Sequence, residues 1–215
     1  MKKLVIFDLD GTLVDTVADL ACSTNYALGR CGFPTHETEK YRYFVGNGIN
    51  RLFERALPEG EKNPENILCV REAFLPHYDK HGTDKSAPYP GIPELLEALQ
   101  EQGVMLAVAS NKYHAATCGL IAHYFPDIRF AAVFGQREGT PIKPDPAVIS
   151  DIIEKIGVKR EEVLYVGDSG VDMQTAGNAG VDAVGVTWGF RPREELERFS
   201  PRHIVNAPQE ILNLV

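Results

Sequence analysis

Cysteine is scarce and irregularly spaced. Cys22, Cys31, Cys69 and Cys118 are the only four, and no two form a C-x-x-C pair. That speaks against a zinc site and against a disulfide framework, so the four read as buried structural thiols. His77 and His81 stand four apart. Without a third ligand they make an incomplete zinc set, and a structural role near a helix end is expected. Long apolar runs are missing too, so no membrane span is expected. Lys2 and Lys3 precede an apolar stretch interrupted by Asp8 and Asp10. It is too short for a signal peptide, and the cytoplasm is the expected location. Positive charge is also in short supply. The net charge is −8, which speaks against a nucleic-acid partner. A phosphorylated substrate would have to be drawn in by a local positive site rather than by the overall field. Repeats and low-complexity segments are absent.

What is present is organised around Leu4-Val5-Ile6-Phe7-Asp8-Leu9-Asp10-Gly11-Thr12-Leu13-Val14-Asp15. A short apolar run closed by a turn signal reads as a strand buried on both faces. Asp8 then sits at the strand's carboxyl end, where open α/β sheets bind ligands. Two acids this close repel, which calls for a shared cation, proton or phosphoryl group. An Asp-Gly turn alone would account for Asp10 and Gly11. It would not account for an acid ending a buried strand.

From residue 16 to residue 84 the pattern is helical throughout. Val17, Leu20, Ala21, Thr24, Ala27 and Leu28 recur at one-face spacing, and Gly32 is a fitting stop. Further helices are expected over 38–44, over 49–57 and from residue 64 or 65 onward, the last kinked at Pro76. Residues 81–91 read as a linker rich in Gly and Pro. From Ile92 the chain alternates helix and strand, with strands expected over 104–109, 130–134, 163–166, 183–186 and 204–205. Asp145 and Pro146 read as an N-cap and first turn, and a last helix is expected from Gln209. Alternation of this kind implies a doubly wound parallel α/β sheet, a Rossmann-like core. Residues 1–15 and 85–215 form that core. Residues 16–84 are an insertion after the first strand, able to act as a lid.

Three further strand ends carry polar residues. Ser110 and Asn111 follow the second strand, where a hydroxyl and backbone N–H groups suit a phosphate. Lys143 precedes a helix, and its ammonium suits the same ligand. Asp168 and Asp172 follow the fourth strand, where carboxylates suit Mg²⁺. Taken singly, these are ordinary caps and surface residues.

Taken together, acid pair, hydroxyl, lysine and acid pair resemble the four-motif set of the haloacid dehalogenase superfamily. The likeness covers nearly the whole chain, because the helical insertion matches that superfamily's cap. Asp10 narrows it to the phosphatases and phosphomutases. Phe44-Val45-Gly46-Asn47-Gly48, Arg55-Ala56-Leu57 and Trp188-Gly189 are similar to the phosphoglycolate phosphatases of that superfamily. The resemblance implies phosphoryl transfer through an aspartyl phosphate on Asp8, with Asp10 as general acid and base. It implies Mg²⁺ held by the Asp8 side chain, the Asp10 carbonyl and Asp168, with Asp172 orienting a metal-bound water. Thr12, Ser110, Asn111 and Lys143 are expected around the phosphate. Gly46, Asn47 and Gly48 are expected to set specificity from the cap, and Arg51 to meet a substrate carboxylate. The expected partner is a small phosphorylated metabolite such as 2-phosphoglycolate, and the expected state is a monomer or homodimer. A phosphomutase of the same fold, a pyrophosphatase or a nucleotidase would share the core residues. A phosphonate hydrolase would need a cap lysine such as Lys40, Lys62 or Lys80. A phospho-aspartate receiver is disfavoured by the insertion and by the paired acids.

Overall fold

A computed structural model describes residues 1–215. The chain opens with strand β1 (Leu4–Phe7), then β2 (Val14–Asp15). Four helices follow: α1 (Val17–Arg30), α2 (Tyr41–Phe44), α3 (Ile49–Ala56) and α4 (Pro64–His81). After β3 (Ala87–Pro88) comes the alternating part: α5 (Ile92–Glu101), β4 (Met105–Tyr113), α6 (His114–Tyr124), β5 (Phe130–Gln136) and α7 (Ala147–Ile156). It ends with β6 (Val163–Gly167), α8 (Gly170–Ala179), β7 (Asp182–Val186), α9 (Arg193–Glu197) and β8 (His203–Val205).

Six strands form one parallel sheet in the order β5-β4-β1-β6-β7-β8. Strand period sorts β1 between two cores. Val5 and Phe7 join Leu95, Leu96, Leu106 and Val108 on one face, while Leu4 and Ile6 join Ala107, Ile149, Tyr165 and Met173 on the other. Both faces are covered, which is why β1 is apolar without alternation. The order reverses at β1, with β4 on one side and β6 on the other. The carboxyl end of β1 is therefore the topological switch point, where such sheets open a crevice.

Helices α1–α4 pack around a separate core that includes Leu28, Tyr41, Phe53 and Phe74, all buried. Burying each such side chain stabilises the block by about 1.5–3 kcal/mol. The short antiparallel ladder of β2 and β3 pairs the chain's entry to this block with its exit, Val14 opposite Pro88 and Asp15 opposite Ala87. Buried Asp19 secures the exit. Its carboxylate accepts from the backbone N–H groups of Lys85 and Ser86 (3.0 and 2.8 Å) and from the Ser86 hydroxyl (2.7 Å).

Several expectations need correction. Cys31 and Cys69 form a disulfide between the end of α1 and the body of α4, with Cα atoms 6.3 Å apart. They are 38 residues apart in sequence, so only the packing of α1 against α4 brings them together. Cys22 is exposed and Cys118 half-buried, so neither is a buried thiol. Pro146, not Asp145, takes the N-cap position of α7, although the Asp145 carboxylate does accept from the Ala147 N–H (2.9 Å). The last helix, expected from Gln209, runs over Pro208–Leu214 and is of the 3₁₀ type. His77 packs on Tyr26 and meets Ser23, while His81 pairs with Asp84. No helix is long and apolar enough to cross a membrane.

Candidate active site

β1 delivers Asp8 to the switch point. The Asp8 N–H still bonds to the Val166 carbonyl of β6 (2.9 Å), so the residue is held by the sheet although its side chain has left it. The chain then turns back through a compact loop in which the N–H groups of Thr12, Leu13 and Val14 all reach the Leu9 carbonyl. Gly11 has φ +88°, and a Cβ there would stand 2.5 Å from Asp168 Oδ2. Only glycine allows both the turn and that approach. Thr12 is fully buried behind this loop. Its hydroxyl donates to Asp168 Oδ1 (3.2 Å), and its carbonyl accepts from the Trp188 indole (3.1 Å). Thr12 thus fixes Asp168 and the loop and does not face the pocket.

Lys143 occupies the middle of the site. Its ammonium lies 2.9 Å from Asp8 Oδ1 and 2.8 Å from Asp172 Oδ1, and it also reaches the Ala109 carbonyl and the Tyr165 hydroxyl. The Asn111 amide positions it. Asn111 Oδ1 accepts from the Lys143 N–H (2.8 Å), and Asn111 Nδ2 donates to the Lys143 carbonyl and to the Gly46 carbonyl of the helical block, both at 3.0 Å. The Asn111 side chain is therefore spent on organising the site, and Ser110, within β4, lines the pocket with a hydroxyl whose oxygen accepts from the Lys112 N–H (3.2 Å). Asp172 is likewise saturated. It accepts from Lys143, Tyr165 and both the N–H and the hydroxyl of Ser169.

Asp8, Asp168 and Asp172 bring carboxylate oxygens within 4.8 Å of one another, all buried. Burial pushes Asp8 up to about 7, against the pull of Lys143 and with repulsion from Asp172 and Asp10 adding to it. Burial, then Asp172 and Asp8, pushes Asp168 up to about 8. Lys143 is held well above its usual range: burial opposes its charge, but Asp172 and Asp8 outweigh it. Asp8 Oδ1 makes an ion pair with Lys143 but is out of line for a hydrogen bond, which leaves this buried atom with no hydrogen-bond donor. Crowded, under-satisfied oxygens of this kind fit a hard divalent cation. The open capacity lies on Asp8 and Asp168, because Asp172 is already filled.

The helical block closes the pocket from above. Val45, Gly46, Gly48 and Leu52 line it opposite Asp8, Asp10 and Ser110. Gly48 has φ +81°, and a Cβ there would stand 3.7 Å from the Asn111 carbonyl and 3.4 Å from the Gln136 side chain. Asn47 points elsewhere and accepts from Arg55 (2.7 Å). Arg51 does not reach the pocket. Its side chain is exposed and paired with Glu54 on the outer face of α3.

A model of the haloacid dehalogenase-like hydrolases matches residues 5–186, which spans all four strand-end motifs and the helical block. The chain belongs to this family. It is 38% identical over 206 residues to a phosphoglycolate phosphatase of Agrobacterium fabrum, covering 92% of this chain and 86% of that one. It is 34% identical over 207 residues to a phosphoglycolate phosphatase of Mesorhizobium japonicum, covering 95% and 91%. The crystal structure of a predicted phosphoglycolate phosphatase from Haemophilus somnus superposes with a TM-score of 0.91 at 32% identity, covering 99% of this chain and 97% of that one. The protein is an enzyme, a phosphatase of the haloacid dehalogenase-like hydrolases.

Two parts of this hydrolase's site escape a reading of the sequence. One is Lys112, which is buried against the pocket with its ammonium 3.1 Å from Asp10 Oδ1. A lysine after Asn111 reads as solvated, and the available signal was its i+2 position from Ser110 on one strand face. The other is the loop after β7. The Phe190 N–H donates to Asp168 Oδ2 (2.8 Å), its ring enters the core of the helical block, and Arg191 donates to the carbonyls of Arg42 and Val45.

Proposed function

We infer that the enzyme is a Mg²⁺-dependent phosphomonoester hydrolase that works through an aspartyl phosphate and takes 2-phosphoglycolate or a similar small ester. Buried Asp8, open to the pocket beside Lys143 and facing Asp168, is the observation that carries this reading. Residues 1–15 and 85–215 act as the catalytic core, and residues 16–84 as a cap that admits the ester and then excludes water.

An Asp8 carboxylate oxygen attacks phosphorus in line with the ester bond, and that P–O bond breaks as the new one forms. Asp10 gives its proton to the departing oxygen. In the second half it takes a proton from water, which attacks the aspartyl phosphate and releases inorganic phosphate and Asp8. Ser110 and Lys143 steady the transferring oxygens, where positioning and charge supply most of the catalysis. Asn111 keeps Lys143 in place, and Thr12 keeps Asp168 in place. The Asp8 and Asp168 carboxylates with the Asp10 carbonyl would hold Mg²⁺, while Asp172, already filled, would keep Lys143 in place beside them. When bound, the metal cancels the repulsion between an anionic nucleophile and an anionic ester.

We assign the enzyme to the cytoplasm, where the thiol pool would keep Cys31 and Cys69 reduced. Its partner there is a small phosphorylated metabolite, and it works as a monomer or homodimer. An ester panel with and without EDTA tests the function. Phosphate release should vanish in EDTA, return with Mg²⁺ and be fastest, by kcat/KM, on 2-phosphoglycolate. A higher value for a hexose phosphate, a nucleotide or pyrophosphate would overturn the substrate assignment. Full activity in chelator would overturn the metal assignment.

A further inference from the structure

The pocket between Asp8 and the cap has a cavity volume of about 50 Å³ and a single cationic side chain in its lining, Lys112. The walls around it are mostly apolar, with Leu20, Ile49, Leu52 and Phe74 among them. An anionic group on the leaving side of a substrate cannot be solvated by such walls and must find a charged donor. Lys143 is not that donor, because it lies beside Asp8 on the phosphoryl side and does not line the pocket. Asn111 is spent on Gly46 and Lys143, and the Tyr113 hydroxyl donates to Asp79.

Lys112 has capacity left. Its ammonium carries three donors, and its one hydrogen-bonding partner is the Asp10 carboxylate, at 3.1 and 3.3 Å. Its other neighbour is the ring of Tyr78, 4.6 Å from the ammonium to the centroid.

We propose that Lys112 is the specificity-determining residue that anchors the carboxylate of the leaving group. Lys112 in this role rests on the substrate inferred above and tells that substrate from other small esters. Asp10 must meet the ester oxygen, and the Lys112 ammonium touches Asp10. A group that satisfies both needs its carboxylate beside its ester oxygen, as in the phosphate ester of a 2-hydroxy acid. A lysine that only neutralised Asp10 and packed on Tyr78 would serve every ester equally.

The test is the ratio of kcat/KM for 2-phosphoglycolate to that for ethyl phosphate, which lacks the carboxylate. In Lys112→Gln this ratio should fall by about 50-fold, as expected for loss of a charged hydrogen bond, and chiefly through KM. Lys112→Arg should retain part of it. The wild-type enzyme, which needs no variant to fold, should turn over phosphoglycolamide about 50-fold less efficiently than 2-phosphoglycolate, because the neutral amide gives up the charge. If the wild type prefers 2-phosphoglycolate but Lys112→Gln keeps the ratio, the Lys112 assignment fails and the substrate stands. If the wild type shows no preference for 2-phosphoglycolate over ethyl phosphate, both fail together; if it prefers 2-phosphoglycolate to ethyl phosphate but not to phosphoglycolamide, only the Lys112 assignment fails.

Discussion

Asp8 and Asp10 lie two residues apart yet meet different surroundings. Asp8 is buried beside Lys143 and faces two other acids, while Asp10 is half-buried between the Thr16 hydroxyl (2.7 Å) and Lys112. Different surroundings suit different jobs, and a leaving group that needs no proton separates them. Asp10→Asn with p-nitrophenyl phosphate should release nitrophenol in a burst followed by slow turnover, because attack survives while the base for water is lost. With ethyl phosphate the burst should be missing. Rapid-quench kinetics reads both, and equal damage to the two substrates would show the roles wrongly assigned. At this scale the sequence was informative wherever a polar residue ended a buried strand. Asp8 and Asp168 stand just past such ends, and no packing rule explains them there; Ser110 and Asn111, expected to follow the strand over 104–109, lie inside β4, which runs on to Tyr113. Arg51 was misjudged because helix α3 has two faces, and nearness to Gly48 in sequence does not say which one a side chain takes. Lys112 was passed over because a lysine's default is solvent, and only the approach of Asp10 and Tyr78 explains its burial.

Elements were legible through periodicity, and their partners were not. The one-face spacing of α1 is visible in the sequence, but its packing against α4, and hence the Cys31–Cys69 bond, depends on tertiary contacts. The same limit hid the β2–β3 ladder, whose two-residue strands carry no periodic signal. A bond closing a segment of 38 residues restricts the unfolded cap, and its removal should lower stability by roughly 2–4 kcal/mol. Thermal melts with and without reductant should show the loss, and Cys31→Ser should match the reduced wild type. Because Cys31 and Cys69 do not line the pocket, kcat on 2-phosphoglycolate should change little below the melting range. An unchanged melt in reductant would mean that the bond adds nothing to the fold.

For the whole molecule, the net charge of −8 makes the site an acidic cluster within an acidic protein. Metal-free, the fold keeps protons on Asp8 and Asp168 up to about pH 7 and 8, whereas the unfolded chain releases them near the ordinary carboxylate value of 3.8. The folded state therefore binds more protons across that window. Its stability falls as pH rises from about 4 to 8, the reverse of a salt-bridged carboxylate. The melting temperature of the EDTA-treated enzyme should drop between pH 5.5 and pH 8, and Mg²⁺ should raise it more at pH 8 than at pH 5.5. A Mg²⁺ shift that is larger at low pH would contradict this electrostatic account.

In the inferred reaction the substrate's phosphoryl group passes through Asp8. Acid-quenching the enzyme within one turnover of ³²P-labelled 2-phosphoglycolate tests it most directly. The account predicts near-stoichiometric label on the peptide carrying Asp8, labile to hydroxylamine as an acyl phosphate must be, and none in Asp8→Asn. Label on any other residue, or hydrolysis by Asp8→Asn at the wild-type rate, would contradict it.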